Sequence, residues 1–417
     1  MNILKGNIIH APKFGELSIH EHAYLVYGEQ GIEGIFESLP EKYLKEQMED
    51  YGDALIIPSF SDMHLHGPQY PMLGMGMDLP LLDWLNTYTF PTEAHFKDTE
   101  LARKIYSDLA SNLVKNGATR VCIFSSLHVD ATLVLMEELE KAGIAGYVGK
   151  VNMDRNGGVD LEETTEESIC ETKRWLEASK RFKLVKPIIT PRFTPSCTNE
   201  LMQALGEIAK DYDLPIQSHL SENHGEIAWV KELHPDCEEY WETYQKYGLW
   251  NHRTLMAHCV HSSDRELNAI KEAGVYVVHC PSSNEDLLSG YAPVRHMIEM
   301  GVKVVLGSDI AGGDHLSMFD NVTASIRASK ARQIQYGKDH FLTVEEAFYL
   351  GTSAASSFFG EQPGFAKGNS LHALVVDDSK LLSVRSLSLK ERFERMMYHR
   401  QEKAILAVYS QNKKILG

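Results

Sequence analysis

The chain has 417 residues, 43% of them hydrophobic, and its 41 Lys and Arg against 58 Asp and Glu leave a formal net charge of -17. That much apolar material excludes disordered and fibrous classes. The negative surplus repels phosphate backbones and acidic membranes, and basic clusters are as short as Lys413-Lys414, so neither nucleic acid nor membrane is expected as a partner. Six widely spaced cysteines with no C-x-x-C pair read as reduced thiols of a cytosolic protein. Met1 to His10 lacks the charged start and long apolar stretch of a targeting signal, and no apolar run approaches the ~18 residues of a membrane span. A soluble cytoplasmic globular protein is expected, with small neutral substrates open to it.

Residues 1–57 hold short segments such as 23–27 between turn signals, without helical period. A βα alternation then begins. Residues 54–57 lead into 63–66; run 119–124 precedes a helix over 130–141; run 145–152 precedes a helix over 164–180; run 184–190 precedes a helix from about Thr198. Run 215–220 precedes a helix near Glu226, run 254–258 a helix over 264–273, and runs 275–280 and 302–307 complete the series. Thr164 with Glu167 and Ser263 with Glu266 fit capping boxes, and Gly117, Gly143, Gly274 and Gly301 close the preceding helices. About eight strands separated by helices is the count at which parallel strands close into a (β/α)8 TIM-like barrel. An open doubly wound sheet is disfavoured, because no G-x-G-x-x-G follows a strand and polar residues cluster at many strand ends rather than at one switch point. Strand texture returns after Pro363, at 373–376. The predicted organisation is a barrel over 58–361 and a small β-sandwich-like satellite domain built from residues 1–57 and 362–417.

His64-Leu65-His66 ends an apolar strand, and residues i and i+2 share a face, so both imidazoles can grip one metal. His219, His258 and Asp309 each end another predicted strand. Histidine and carboxylate donors on the rim of a barrel suit zinc or ferrous iron in an open, catalytic arrangement. Glu222, three residues after His219, is a candidate proton carrier that serves as base and then acid; the competing reading is a helix N-terminal carboxylate favoured by the macrodipole. Cys259 and Cys280 are set aside as ligands, since the neighbour of an inward histidine points toward the helices. His279 reads as pocket wall or a support for the ligands, and Asp62 and Asp314 as solvated or turn residues. Read from the residues alone, Arg192 is a surface ion-pair residue and Trp84 a core aromatic.

The segments His64-Leu65-His66-Gly67-Pro68-Gln69-Tyr70, Asp78-Leu79-Pro80-Leu81-Leu82-Asp83-Trp84-Leu85, Tyr88-Thr89-Phe90-Pro91, Thr190-Pro191-Arg192-Phe193, Gln217-Ser218-His219-Leu220-Ser221-Glu222-Asn223, Met256-Ala257-His258, His279-Cys280-Pro281 and Gly307-Ser308-Asp309-Ile310-Ala311-Gly312-Gly313 stand in order. With them the chain resembles the amidohydrolase superfamily and, within it, the guanine-deaminating family, from about Pro58 to Ser329. The resemblance implies one divalent metal, Zn2+ first and Fe2+ second, on His64, His66, His219 and Asp309, with His258 orienting the attacking water and Glu222 shuttling protons. It implies hydrolysis of guanine at C2 to xanthine and ammonia, by a homodimer. Gln69, Arg192 and Phe193 match positions that contact the purine in that family; Trp84 closes the pocket, and His66, His219 and Asp309 border the substrate. The metal donors belong to the whole superfamily and leave open other aminohydrolases or chlorohydrolases acting on oxidised purine, pterin, adenosine-like or triazine rings, as well as a catalytically silent barrel scaffold. A two-metal type with a bridging lysine is disfavoured, because Arg192 stands at the end of the fourth strand. Pro58-Ser59 and Ser61 depart from the family pattern, which bears on packing behind the site.

Overall fold

Apolar runs bounded by turns form strands in the order β1 (Asn2–Lys13), β2 (Glu16–Gly28), β3 (Gly31–Phe36), β4 (Gln47–Pro58), β5 (Phe60–His66), β6 (Ala118–Phe124), β7 (Ala145–Gly149), β8 (Val151–Asn152), β9 (Val185–Pro187), β10 (Thr190–Pro191), β11 (Ile216–Leu220), β12 (Thr254–His258), β13 (Tyr276–His279), β14 (Lys303–Leu306), β15 (Ala373–Asp377), β16 (Ala404–Ser410) and β17 (Lys413–Leu416). The computed structural model describes residues 1–158, 160–337, 340–399 and 404–417.

Strands β5, β6, β7 and β9 pair in parallel, as do β11, β12, β13 and β14. A parallel bridge between Ile189 and Ile216 joins the two sets on one side. On the other side the Asp309 N–H, just beyond β14, donates to the His64 carbonyl of β5 at 2.8 Å. The eight strands therefore return on themselves in a ring, with helices between most consecutive strands. Side-chain alternation explains why the strands read as nearly continuous apolar runs. Cys122, Leu255, Val278 and Val305 pack into an inner cluster with Met63, whereas Val121, Ile123, Met256, Val277 and Val304 pack outward with the helices. Both faces are buried, so polar residues inside the strands, such as Asp62, Arg120 and Gln217, are held by partners within the fold.

Strands from both chain ends do build one sheet, in the order β17-β16-β15-β4-β1-β2-β3. Residues 54–57 belong to it, so the run that leads into 63–66 pairs in the satellite sheet and not in the ring: Leu55 and Ile56 pair with Asn7 and Ile8 of β1, and with Val376 and Val375 of β15. The chain changes sheets at Ser59, whose N–H donates to the His372 carbonyl, and the Phe60 N–H then donates to the Gly117 carbonyl. A strand with both faces buried carries the same apolar signature in either sheet, so 54–57 and the ring strand that follows read as one continuous series.

Helix Thr165–Ser179 has the full predicted capping box between Thr164 and Glu167. Before helix Asp264–Ala273 only half of the second box forms. Ser263 accepts from the Glu266 N–H, but the Glu266 carboxylate turns instead to the Ser262 hydroxyl (2.6 Å) and the Trp241 N–H (3.2 Å). Gly274 and Gly301 end their helices in left-handed conformation, at φ 73° and 88°. Among the described residues no helix is long and apolar enough to cross a membrane.

One glycine fixes the closure of the ring. A Cβ on Gly307 would lie 2.7 Å from the His64 Cβ and 3.0 Å from its backbone N. Gly307→Ala is expected to push β14 away from β5, lowering stability by about 1–3 kcal/mol and weakening metal binding at His64. Thermal melting with metal titration checks this; a variant that melts and loads as wild type would contradict the tight closure.

Candidate active site

Every predicted site residue sits at or just beyond the C-terminal end of a ring strand, or on the segment that follows β5. His64 and His66 close β5, His219 is the fourth residue of β11, His258 ends β12, and Asp309 follows β14. Arg192 and Phe193 follow β10, and Glu222 lies between β11 and helix His224–Leu233. Several chain reversals here require left-handed backbone at residues other than glycine: Ser221 (φ 47°), His258 (φ 73°), Cys259 (φ 50°) and Asp309 (φ 46°). Each costs on the order of 1–3 kcal/mol and persists only where the surroundings impose it. Here the strain aims side chains at one point.

At that point the His66 and His219 Nε2 atoms lie 3.1 Å apart. Asp309 Oδ1 is 3.3 Å from His64 Nε2 and 3.7 Å from His66 Nε2. His258 Nε2 stands 3.7 Å from Asp309 Oδ2 and 3.5 Å from Glu222 Oε2. All six side chains are buried, none more than 9% exposed. Ligand bonds of ~2.0–2.1 Å set tetrahedral edges of roughly 3.4 Å, so these separations suit a shared divalent ion. One polar atom needs it: His64 Nε2 is buried without a hydrogen-bond partner among the described residues, and such burial is costly unless something compensates it. The donor set of imidazole and carboxylate therefore fits the implied metal.

Supporting bonds fix which ring atoms face inward. His219 Nδ1 lies 2.6 Å from the Arg192 carbonyl and His258 Nδ1 lies 2.8 Å from Asn284 Oδ1. In each pair the ring nitrogen donates, which leaves Nε2 as a lone pair toward the centre. Burial pushes the His66 and His219 imidazoles well below their usual range, with the charges of neighbouring histidines acting in the same direction; this favours the neutral form that ligates. Burial, assisted by the Asp309 charge, raises the Glu222 carboxyl to about 8, against a 3.3 Å hydrogen bond from the Ser289 hydroxyl.

Beside this cluster opens a partly enclosed cavity. Nine of the ten predicted site residues line it: His66, Gln69, Trp84, Arg192, Phe193, His219, Glu222, His258 and Asp309. His64 lies deeper. Leu81, Leu85 and Leu287 supply apolar wall, and Trp84 is fixed by a bond from Nε1 to the Met75 carbonyl (2.9 Å). Arg192 is no surface residue. It is 2% exposed, stacks 4.9 Å from the Phe90 ring centroid, and forms a two-pronged pair with Glu93 at 2.6 and 3.0 Å.

Asp62 needs correction from a solvated or turn residue to a fully buried one: its carboxylate accepts from the Ser308 N–H at 2.8 Å and so ties β5 to the loop carrying Asp309. Asp314 is exposed, as expected. Cys259 packs outward with Met256, whereas Cys280 joins the inner cluster with Val278; burial pushes both thiols well up, away from thiolate chemistry. His279 lies buried outside the cavity lining and is pushed down to about 3 by burial and then by His258. Sequence reasoning missed Glu93, Asn284, Ser289 and Glu226. Glu93 stands three residues after Phe90, in a mixed segment with Thr92 and His95 beside it, and nothing local marks it. Glu226 completes a capping box with Asn223 and accepts from the Glu222 N–H at 2.9 Å. Nothing in the local pattern marks Asn284 or Ser289.

Residues 55–396 match the model of the amidohydrolase family. The chain is 37% identical to a guanine deaminase of Dictyostelium discoideum over 441 aligned positions, covering 100% of this chain and 98% of the relative. It is 43% identical to the guanine deaminase of Rattus norvegicus, across 77% of this chain and 72% of that one. Among solved structures it resembles the guanine deaminase from C. acetobutylicum with guanine bound in its active site, at 44% identity and a TM-score of 0.96, with all of both chains covered.

His258 Nε2 lies as near the Asp309 carboxylate as His66 Nε2 does, 3.7 Å each, so substitution is what tells a ligand from a neighbour. His219→Ala and Asp309→Ala are expected to bind divalent metal at least ~100-fold more weakly, beyond what loss of a supporting residue does, while His258→Ala stays within about tenfold of wild type. Metal titration with a competing chelator measures this, and a His258→Ala protein as empty as His219→Ala would make His258 a ligand instead.

Proposed function

The chain belongs to the amidohydrolase family, whose members are metal-dependent hydrolases, and we propose that it hydrolyses guanine at C2 to give xanthine and ammonia. The observation that carries this reading is the meeting, in one cavity, of a metal-type donor cluster, a buried carboxyl at Glu222 and the polar pair Gln69 and Arg192.

His64, His66, His219 and Asp309 would hold one divalent ion, zinc before ferrous iron on this donor set, which when bound lowers the pKa of water toward ~7 and so supplies a nucleophile at neutral pH. His258, with Nδ1 committed to Asn284, directs Nε2 toward Glu222 and Asp309 and orients the attacking water. Glu222 takes the proton of that water as its oxygen bonds to C2, and delivers it to ring N3 as the C2–N3 double bond opens. A second proton, from the new hydroxyl, passes to the amino nitrogen; the C2–N bond breaks, ammonia leaves and C2 becomes a carbonyl. The Ser289 hydroxyl and the backbone bond to Glu226 hold Glu222 in place for both transfers. Arg192 donates to O6, Gln69 meets the ring edge, and Phe193 and Trp84 cover the flat base. A base that leaves these buried groups unpaired is rejected strongly, because each unmet polar group costs about 1–3 kcal/mol.

The protein is further read as a cytoplasmic homodimer. Its six cysteines are all free, five of them buried, and the large apolar side chains Ile334, Leu382 and Val384 are exposed on a single chain.

Metal-replete protein is expected to release ammonia and xanthine together from guanine and far less ammonia from adenine, cytosine or 8-oxoguanine. Glu222→Gln should keep its metal and lose turnover by at least ~10³-fold, and a fast variant would remove Glu222 from proton transfer. Arg192→Ala should also keep its metal yet lose guanine turnover; full activity would place Arg192 outside the recognition set.

A further inference from the structure

Glu93 does not line the cavity, yet it governs two residues that do. It lies on the short helix Phe90–Ala94, which follows a single wide π turn at Leu85–Thr89, and is 1% exposed. Its carboxylate accepts from both terminal nitrogens of Arg192, at 2.6 and 3.0 Å, and from Gln69 Nε2 at 2.9 Å. Gln69 and Arg192 are each 2% exposed. One buried anion thus anchors both polar groups of the recognition pair.

The chemistry of that anchor restricts what the cavity can display. A carboxylate paired with a guanidinium accepts hydrogen bonds and cannot donate them, so Gln69 can meet it only through its NH2 group. The amide is then fixed end for end, and its carbonyl Oε1 is left for a ligand. Among the described residues no group donates to Gln69 Oε1. Arg192, held by the same carboxylate, can present only donors. The cavity therefore offers an acceptor beside donors. A ring edge with N–H next to C=O, the lactam edge of N1 and C6 in guanine, complements that pattern. A ring nitrogen lone pair next to an amino group, the amidine edge, opposes it at both atoms.

We propose that Glu93 is the positioning residue that sets specificity: by holding Gln69 and Arg192 on one carboxylate it imposes the acceptor–donor order that selects a lactam edge over an amidine edge. The inference rests on the deaminase reading above. It adds that discrimination is set one layer behind the cavity wall. The Phe90 ring, 4.9 Å from the guanidinium carbon, packs against Arg192 beside Glu93.

The test compares guanine with 2,6-diaminopurine, which carries the same C2 amino group but an amidine edge. In Glu93→Gln the new amide can donate to Gln69, which is then free to turn its NH2 toward the cavity. The kcat/KM for guanine should fall at least about 30-fold while that for 2,6-diaminopurine changes less than about threefold, narrowing the ratio about tenfold or more at unchanged metal content. Equal losses on both substrates, or no loss, would overturn the proposal, since a merely structural role lowers both together. Because Glu93→Gln leaves Arg192 without its counter-charge, Glu93→Asp provides a second reading if that variant does not fold. The shorter acid keeps the charge but cannot span both partners, so the ratio should still narrow at least about threefold; an unchanged ratio overturns the proposal. Wild-type protein that releases no ammonia from guanine would instead sink the deaminase reading and this one with it, a result distinct from a wild type that is active and a variant whose selectivity stays put.

Discussion

The structure depends on holding four imidazole nitrogens and the Asp309 carboxylate around one point, with neighbouring pairs 3.1 to 3.7 Å apart, inside a buried volume. Lone pairs that close repel, and polar atoms without partners away from water cost several kcal/mol in sum. A cation at their centre converts the same arrangement from a liability into a strong site. Until it binds, the cluster must be kept together by the rest of the molecule. The ring of strands does this: His64 and His66 share β5, His219 and His258 lie on β11 and β12, and Asp309 follows β14, so moving one of these strands away breaks a parallel ladder.

Two further devices tie the ligands to one another rather than only to their own strands. The Asp309 N–H donates to the His64 carbonyl, and Asp62 accepts from the Ser308 N–H, so the loop after β14 is bound to β5 at two successive residues. Left-handed backbone at His258 and Asp309 stores strain at the positions whose side chains must turn inward. Glu93 repeats the principle on the recognition side of the cavity, where one carboxylate orients two residues. Rigidity is therefore concentrated behind the site, and the cavity wall itself needs few bonds of its own. Such preorganisation is what allows charge developing on a purine to meet groups already in place.

Much of this was legible in the sequence because it obeys local rules. A histidine or aspartate that ends an apolar strand is conspicuous, so His64, His66, His219, His258 and Asp309 could be found without a structure. The eight-strand rhythm was equally visible, since both faces of each strand are buried. What could not be read depends on contacts between distant segments. Asp62 looks like a turn residue until the loop at Ser308 closes over it. Residues 54–57 run into the first ring strand with the same apolar texture, because the satellite sheet buries them just as completely. Arg192 looks like a surface cation because its counter-ion lies 99 positions away, at Glu93. Asn284 carries no pattern at all, because its role is defined only by the ring nitrogen of His258.

Diffraction recorded across the zinc absorption edge from crystals of metal-loaded protein tests the central claim most directly. The account predicts one anomalous peak per chain, within ~2.0–2.2 Å of His64 Nε2, His66 Nε2, His219 Nε2 and an Asp309 carboxylate oxygen. A peak elsewhere, or none between these four atoms in fully loaded protein, would contradict it.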